Sequence, residues 1–574
     1  MTAPAAPGGA EQADRQAIGR AARLTPVNLV IAAVTVLGLG LRLFYLTRPG
    51  YLLGVTEYDD GSYFGSAVRL AHGVLPYRDF VFVQPPGITL LMAPAALASK
   101  VIGTSAGLAV ARVLTMLAGA AGVTLAGLLV RHRGVLAVLV ACGVVAVYPD
   151  SVASSHTLLV EPWLVMFCLA GAVAVFDGDR ITGSTRRLLW GGVAFGFAGV
   201  IEAWAIIPVL VIAVLSIRRL RRAAVYLGGV AAGFAVPVVP FAALAPQNFY
   251  DSVITAQVGG RVNATRMPLW FRLRQMSGFA NQPDVRHLYV AGVTLLIVAF
   301  VITACAAALL LTRRLPPALE WFAYLTAAAV VGIFLWPAQF HYHFSGFLAP
   351  FLGLSVALPA ARLAAAIVDR VGGRPAGGQP DGGQHAGSRP ADSQPGSSQP
   401  AGRKPAGGRR KLAGQALAWA AGGLAVAGIA AGTWNQAAFE SKLEPDAPVA
   451  MMAAGQRIIP PGACVLADNV AYTVTANRFI SQVPGCPTID DGTGANYALS
   501  HGRSTATGAG RVPAVAAMWR SAFEHAQYVW LTGLNHRRIA WTPALTAYFH
   551  EHFVHVADHT RKLRLYVRKS LSRR

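Results

Sequence analysis

The chain has 574 residues, of which 54% are hydrophobic and 13% are charged, and its mean hydropathy is +0.47. Soluble globular proteins carry about 25% charged residues, so this composition excludes an ordinary soluble protein and indicates a membrane protein. The formal net charge of +23 at pH 7 does not by itself indicate nucleic-acid binding. The basic residues form short clusters between apolar runs, and they do not form a surface in which basic and aromatic residues alternate.

The apolar runs predict about eleven membrane crossings by α-helices. The first run, at residues 25–46, follows a tail at residues 1–24 that carries Arg15, Arg20 and Arg23. The positive-inside rule therefore predicts a cytoplasmic N-terminus and, after an odd number of crossings, an extracytoplasmic C-terminus. The other crossings are predicted at 106–130, 134–150, 157–176, 188–217 (two short helices that meet near Glu202), 223–245, 288–312, 319–337, 344–366 and 412–434.

The pattern divides the chain into a transmembrane domain at residues 25–366 and a second part that follows a linker. The first external loop, at residues 47–86, precedes a short apolar stretch at 87–102 that is predicted to lie at the membrane interface. Residues 367–411 are rich in Gly, Pro, Gln, Ser and Arg, which predicts a disordered cytoplasmic linker before the last transmembrane helix at 412–434.

Residues 435–574 are predicted to form a small extracytoplasmic α/β domain. Strand patterns occur at 463–467, 528–531 and 563–567, and a helical pattern occurs at 515–523. The fold class predicted for the whole chain is thus a polytopic α-helical membrane protein with a small α/β domain at its C-terminus.

Two of the five cysteines, Cys464 and Cys486, lie in this polar C-terminal part. In an oxidising compartment they could pair as a disulfide, and otherwise they are free thiols.

Acidic residues are concentrated in the first external loop, at Glu57, Asp59, Asp60 and Asp79. Adjacent carboxylates near the hydrocarbon boundary repel each other and are partly desolvated, so one could act as a general base or both could help to hold a divalent cation. The alternative is an exposed acidic turn before a helix that begins near Ser62. Ionisable residues are scarce within the predicted spans, where a secondary transporter would need them, so the pattern favours chemistry at the membrane surface.

This loop resembles that of the GT-C glycosyltransferases, particularly protein O-mannosyltransferases, the lipid A aminoarabinose transferase and related actinobacterial cell-envelope enzymes. Asp59, Asp60 and Tyr63 match the D-[DE]-x-x-Y core of that family. Gly73, the pair Pro85 and Pro86, and Arg112 in the next span continue the match. The resemblance implies a GT-C-like fold, a polyprenyl-phosphate sugar donor, and a polysaccharide, glycolipid or protein as the acceptor.

The resemblance also implies catalytic roles. Asp59 would take the proton of the acceptor hydroxyl in a single inverting displacement, and Asp60 would bind a metal ion or position a substrate. Tyr63 and Arg112 would contact the substrate or its phosphate. Mg²⁺ or Mn²⁺ is the candidate cofactor, and mannose or arabinose is the sugar that an actinobacterial relative implies.

Three further residues are candidates near the predicted outer surface. His341 and His343 resemble a His-Tyr element that could contact phosphate, although they could instead be interfacial aromatic residues. Glu161 could bind a metal ion or the substrate, or it could simply begin a helix. Glu202 departs from the family, since several relatives have a basic residue in the corresponding segment.

Four arginines of the loop at 246–287 could shape the entrance for a lipid phosphate or belong to an amphipathic surface helix. They are Arg261, Arg266, Arg272 and Arg274.

Two other functions fit parts of the pattern. The many spans and basic loops would also suit a transporter or flippase for a lipid-linked or polar solute. The C-terminal domain would suit a non-catalytic partner that presents this domain to other envelope enzymes. The glycosyltransferase hypothesis best explains the acidic loop.

Overall fold

The computed structural model describes residues 25–263, 266–282, 284–371, 407–445, 449–532, 538–558 and 563–572. Among the described residues before the C-terminal domain, the regular elements are helices and one two-stranded hairpin, in which β1 (Phe176–Asp177) pairs with β2 (Arg180–Ile181). The helices are α1 (Pro26–Leu46), α2 (Tyr58–Ala71), α3 (Gly87–Ile102), α4 (Thr104–Val130), α5 (Val135–Val147), α6 (Pro149–Ala153), α7 (Glu161–Val175), α8 (Thr185–Ile201), α9 (Ile206–Ser216), α10 (Leu220–Leu244), α11 (Pro246–Tyr250), α12 (Ala256–Asn263), α13 (Leu269–Met276), α14 (His287–Thr312), α15 (Ala318–Leu335), α16 (Phe344–Val371) and α17 (Gly407–Glu440).

Six of these described helices are long and apolar enough to cross a membrane: α1, α4, α10, α14, α15 and α16. Helix α1 shows how the sequence starts such a span, because Thr25 caps the backbone N–H of Asn28 and Pro26 occupies the first turn. The expected pair of short helices in residues 188–217 is present as α8 and α9, which meet at Glu202. The total number of crossings stays a prediction.

Some boundaries differ from those expected. The segment at 134–150 forms a helix of only 13 residues, α5, which is about 20 Å long and shorter than a typical hydrocarbon core. Helix α16 continues beyond residue 366 to Val371, and α17 begins at Gly407 instead of residue 412. The reason is that an α-helix satisfies its own backbone hydrogen bonds and need not end where the apolar run ends. The rest of the predicted linker lies outside the described residues.

Helices α8 and α10 pack closely through glycines. A Cβ atom at Gly192 would lie 2.2 Å from the carbonyl oxygen of Tyr226, and one at Gly229 would lie 2.3 Å from that of Leu189. Small residues allow such backbone contact between membrane helices. The close packing fixes the two helices that form one wall of the site described below.

The C-terminal domain contains a four-stranded sheet in the order β3-β4-β6-β5. Strand β3 is parallel to β4, and the other neighbouring pairs are antiparallel. The buried core on this sheet includes Trp519, Phe523 and Phe549. The elements of the domain are α18 (Val449–Ile458), β3 (Val465–Ala467), α19 (Ala471–Thr475), α20 (Gly492–Leu499), α21 (Pro513–His525), β4 (Tyr528–Leu531), α22 (Pro543–His552), β5 (Phe553–Asp558), β6 (Arg564–Arg568) and α23 (Lys569–Ser572).

The C-terminal domain packs directly on α2. A Cβ atom at Gly61 would lie 2.4 Å from the backbone nitrogen of Ala471, so only glycine fits there. Ser62 donates a hydrogen bond of 2.8 Å to the backbone oxygen of Asp490, and the Arg69 guanidinium lies 3.2 Å from the Asp490 carboxylate. The loop that contains α2 and the C-terminal domain therefore lie on the same side of the membrane.

Candidate active site

The two adjacent aspartates of the first loop occupy the first turn of α2. The helix begins at Tyr58, earlier than the start near Ser62 that the alternative interpretation assumed, and the helix dipole favours carboxylates in this turn. Neighbouring side chains on a helix point about 100° apart. As a result Asp59 and Asp60 face different surroundings.

Asp60 is fully buried in an ion pair with Arg112 of α4. Its Oδ2 atom also accepts hydrogen bonds from Thr56 at 3.0 Å and from Thr157 at 2.6 Å. Arg112 is fully buried as well, and it donates through Nη1 to three backbone carbonyls, those of Tyr51, Leu52 and Gly54. These contacts fix α2 against α4.

Asp59 instead lines a partly open cavity of about 360 Å³ that contains several ionisable side chains, and we call it the polar chamber. About a third of its side-chain surface (35%) is accessible, and this surface faces the chamber. Burial raises the pKa of Asp59 to about 6, while the nearby charge of His343 acts to lower it. Of the residues predicted from sequence, five line the chamber together: Asp59, Tyr63, Glu161, His341 and His343.

His343 lies between two carboxylates of the chamber. Its Nδ1 atom is 2.6 Å from Oε1 of Glu161, and its Nε2 atom is 3.9 Å from Oδ2 of Asp59. Burial alone would lower the pKa of His343, but the charge and hydrogen bond of Glu161 and the charge of Asp59 raise it to about 9. The imidazole is therefore a cation at neutral pH, and Nδ1–H donates to Glu161.

Glu57, the residue before α2, also lines the chamber. The Tyr342 hydroxyl donates to its Oε1 atom at 2.7 Å. Burial raises the pKa of Glu57 to about 7, against the opposing effect of this hydrogen bond. The chamber thus contains carboxyl groups of different acidity.

Sequence reasoning missed the wall that the C-terminal domain contributes. This wall contains Asp491, Thr493, Gly494, Tyr497 and Arg538.

Asp491 joins this wall to α2. The Tyr58 hydroxyl donates to Asp491 at 2.8 Å, and the Arg538 guanidinium lies 4.2 Å from the centre of the Tyr58 ring. A signal was present in the sequence, because Asp490, Asp491 and Gly492 repeat the Asp-Asp-Gly triplet that begins at Asp59.

A second, apolar cavity of about 630 Å³ adjoins the chamber, and we call it the apolar groove. Its wall includes Phe195 of α8, Val209 of α9, and Leu227 and Phe234 of α10. The groove and the chamber share three lining residues, Gln84, Glu202 and Gln257. Glu202, which departs from the family pattern, thus lies where the apolar and polar spaces meet.

Two predicted site residues do not face the chamber. Asp60 and Arg112 bind each other behind α2, so the structure does not place them for contact with a substrate.

The candidate metal ligands Asp60 and Glu161 each contact a basic side chain through one oxygen. Arg112 binds Oδ2 of Asp60, and His343 contacts Oε1 of Glu161. A metal ion shared by the two carboxylates stays a prediction. Within the described ranges, no group of three His, Cys, Asp or Glu side chains is placed to hold a metal ion.

The remaining sequence candidates lie elsewhere. Arg272 is buried and donates to the backbone carbonyls of Phe334, Pro337 and Ala338, so it stabilises a turn and does not line the chamber. The side chain of Arg261 lies outside the described residues.

Cys464 and Cys486 form a disulfide with their Cα atoms 5.5 Å apart. It lies in the C-terminal domain.

No family model matches the chain, and no curated protein matches it. Among solved structures, ArnT from Cupriavidus metallidurans bound to undecaprenyl phosphate is similar, with a TM-score of 0.53 and 14% identity over 94% of this chain and 97% of that chain. The apo state of the same protein has a TM-score of 0.54 and 13% identity, over 96% of this chain and 98% of that chain. An Archaeoglobus fulgidus oligosaccharyltransferase tethered to an acceptor peptide has a TM-score of 0.48 and 12% identity, over 88% of this chain and 68% of that chain.

The chain shares the fold of ArnT from Cupriavidus metallidurans. The similarity extends over nearly the full length of both chains, so it includes the C-terminal domain as well as the membrane helices. It confirms the predicted polytopic helical architecture with a small α/β domain. Membership of the GT-C family and of its actinobacterial branch stays a prediction.

Proposed function

We propose that this protein transfers a sugar from a polyprenyl-phosphate donor to a hydroxyl group of a cell-envelope acceptor. The observation that carries the proposal is the junction of the two cavities, where the apolar groove opens beside a chamber that holds Asp59 and the cationic His343. A polyprenyl phosphate has the same two parts, a long apolar tail and an anionic head. ArnT from Cupriavidus metallidurans, which shares the fold, is bound to undecaprenyl phosphate.

The donor tail would lie in the groove, with its phosphate near His343 and its sugar in the chamber. Asp59 would accept the proton of the acceptor hydroxyl while that oxygen forms a bond to the anomeric carbon. The bond from this carbon to the phosphate oxygen breaks, and its electron pair leaves with the polyprenyl phosphate. One displacement inverts the configuration at the anomeric carbon.

The charges of the chamber suit this step. With a pKa of about 6, Asp59 is mostly deprotonated at pH 7 and remains basic enough to take a proton during the displacement. The imidazolium of His343 can stabilise the negative charge that develops on the leaving phosphate. Glu161 would keep His343 protonated and oriented.

The proposed reaction takes place on the extracytoplasmic side of the membrane. The arginines at positions 15, 20 and 23 before α1 favour a cytoplasmic N-terminus, and this places α2 and the chamber on the extracytoplasmic face. A lipid-linked donor can reach a site at this boundary through the bilayer.

The test is the variant Asp59→Asn, assayed in membranes with radiolabelled polyprenyl-phosphate mannose and polyprenyl-phosphate arabinose as donors. We expect transfer to the envelope fraction to fall by at least ~100-fold, the contribution typical of a general base. Asp79→Asn is the matched control, since Asp79 is an exposed aspartate of the same loop that does not line the chamber. Transfer by Asp59→Asn at the wild-type rate would exclude Asp59 as the base.

A further inference from the structure

The disulfide of the C-terminal domain lies close in sequence to the wall of the chamber. Cys486 is bonded to Cys464, and Asp491, which lines the chamber, follows Cys486 five positions later. Five residues span at most about 18 Å. The disulfide therefore limits the movement of residues 487–491, which we call the wall segment.

Cys464 is the fixed partner of the pair. It directly precedes β3 and is fully buried. Its backbone oxygen accepts hydrogen bonds from the backbone N–H groups of Gln527 at 2.9 Å and Tyr528 at 3.0 Å, and its own N–H donates to the Gln527 side chain at 3.1 Å. These bonds do not involve the sulfur atom, so the sheet holds Cys464 in either oxidation state.

The wall segment has no helix or strand to hold it in place. All of residues 476–491 are described, and none belongs to a regular element, since α19 ends at Thr475 and α20 begins at Gly492. The segment therefore lacks the repeated backbone hydrogen bonds of a helix or a sheet. Segments of this kind open locally at a lower free energy than core strands and helices.

The wall segment contacts α2 through polar groups. Ser62 and Arg69 contact Asp490, and Tyr58 contacts Asp491. Tyr58 directly precedes Asp59 in the chain. The position of the wall segment therefore affects the helix that carries the proposed base.

These contacts place two neighbouring carboxyl groups in poorly hydrated positions. Asp490 is only 1% exposed, and its Oδ2 atom has no hydrogen-bond partner among the described residues. Burial raises the pKa of both Asp490 and Asp491, although the charge of Arg69 acts to lower that of Asp490. Hydration of the carboxylates thus competes with the buried position of the segment, and a covalent bond to the sheet opposes the release.

A reductant can reach the disulfide from the side of Cys486. Cys486 is half-buried, and Gly485 before it is exposed. The thiolate of a dithiol attacks Sγ of Cys486, the S–S bond breaks, and its electron pair leaves on Cys464, which takes up a proton. The second thiol of the reagent then releases Cys486 as a thiol. Two electrons reduce the pair, and the dithiol becomes a disulfide.

We propose that the bond between Cys464 and Cys486 is a redox-sensitive latch that keeps the wall segment on α2. In the oxidised protein the latch holds Asp491 against Tyr58. Reduction releases residues 487–491 from the sheet, the two aspartates become hydrated, and the chamber opens further to water. The release does not depend on the chemistry of the chamber, whereas the accompanying loss of transfer rests on the proposed function.

Hydrogen–deuterium exchange of the full-length protein in lipid nanodiscs tests the latch, with and without dithiothreitol. The backbone N–H of Thr493 donates to the Tyr58 hydroxyl at 3.4 Å, and that of Gly494 donates to the Asp491 carboxylate at 2.8 Å. We expect these two amides to exchange at least about tenfold faster after reduction. Strands β4 and β6 should keep their exchange rates, which shows that the domain stays folded.

The double variant Cys464→Ser/Cys486→Ser should exchange like the reduced protein and should not respond to dithiothreitol. Cys305→Ser is the matched control at a free cysteine, and it should behave like the wild type in both states. Transfer by the wild type should fall at least about tenfold on reduction, because the chamber wall is misplaced. Reoxidation with oxidised glutathione should restore transfer.

Unchanged exchange at Thr493 and Gly494 after reduction would overturn the proposal. Faster exchange throughout β4 and β6 would also overturn it, because the disulfide would then stabilise the whole domain. Full transfer by the reduced protein would show that the wall segment does not control the reaction. Failure of the proposed function gives a different result: Asp59→Asn transfers sugar like the wild type, or the oxidised wild type transfers neither sugar, while the exchange still responds to the dithiol.

Discussion

His343 lies in a chamber that also contains the carboxyl groups of Glu57, Asp59 and Glu161. It contacts Glu161 at 2.6 Å and lies 3.9 Å from Asp59. In the proposed reaction, the imidazolium of His343 would stabilise the negative charge that develops on the donor phosphate, while Asp59 takes the acceptor proton. The protonation states of Asp59 and His343 therefore set the pH range in which the proposed reaction can proceed.

We expect a bell-shaped dependence of transfer on pH. The pKa of Asp59 is raised to about 6 by burial, so activity should increase as pH rises through 6 and the base loses its proton. The pKa of His343 is raised to about 9, because Glu161 and Asp59 outweigh burial, so activity should decrease above 9 as the imidazolium is lost. Initial rates measured from pH 4.5 to 10.5 test both limbs.

Glu161→Gln should shift the alkaline limb of this profile more than the acidic limb. Without the carboxylate charge the pKa of His343 falls, and the decrease on the alkaline side should begin at a lower pH. The acidic limb should shift less, because burial raises the pKa of Asp59 more than the charge of Glu161 does, and Asp79→Asn should keep both limbs. An alkaline limb that does not move in Glu161→Gln would show that the titration of His343 does not control transfer.

The acidic pair could be found in the sequence, but the sequence did not show that Asp59 lines the chamber while Asp60 pairs with Arg112. Asp59 and Asp60 are chemically identical neighbours, and their surroundings depend on the residue at which α2 begins. They also depend on Arg112, which is 52 positions away. Only the folded chain shows that Arg112 faces Asp60 and not a substrate.

At the scale of the helices, the ion pair between Asp60 and Arg112 fixes α2, which carries the proposed base, on α4. Both side chains are fully buried, and loss of one partner would leave the other charge unpaired inside the protein. The pair therefore stabilises the position of α2 and, through it, the position of Asp59.

The variant Arg112→Ala should destabilise the protein by about 3–5 kcal/mol, the cost of breaking a buried ion pair. Thermal unfolding of the purified protein in detergent measures the effect as a lower unfolding temperature. Arg218→Ala, at an exposed arginine, should leave the unfolding temperature nearly unchanged. If Arg112→Ala unfolded at the wild-type temperature, the pair would not hold α2 in place.

The sequence predicted most helices of the membrane part because their apolar runs are bounded by charged residues or proline. It predicted the short pair around Glu202 for the same reason. Strand β5 was missed because α22 ends at His552 and the strand begins at Phe553, so no turn residues mark the boundary. Short helices such as α19 and α20 have too few residues to show a helical period.

At the scale of the whole molecule, Gly61 is a point of close backbone contact between α2 and the C-terminal domain. A methyl group there would lie 2.4 Å from the backbone nitrogen of Ala471, and a backbone atom cannot move aside as a flexible side chain can. The same contact keeps Asp491 and Tyr497 in the wall of the chamber. Sequence patterns do not show such contacts, because the partners are distant along the chain.

The variant Gly61→Ala should separate the C-terminal domain from α2. We expect faster cleavage of the C-terminal domain in limited proteolysis and a decrease in transfer of at least about tenfold, since a misplaced site loses about 100-fold per ångström. Gly40→Ala is the matched control, because nothing lies within 4 Å of a Cβ atom at Gly40. Wild-type proteolysis and transfer in Gly61→Ala would contradict the role assigned to this contact.

The two residues that join the halves of the chamber, Tyr58 and Asp491, are 433 positions apart in the chain. During synthesis, Asp59 leaves the ribosome long before its facing wall exists. A nascent or truncated chain that ends before Asp491 carries the proposed base in an open cleft, where water can compete with an acceptor. Completion of the polypeptide thus closes the chamber, and the proposed transfer of a lipid-linked sugar requires the finished chain.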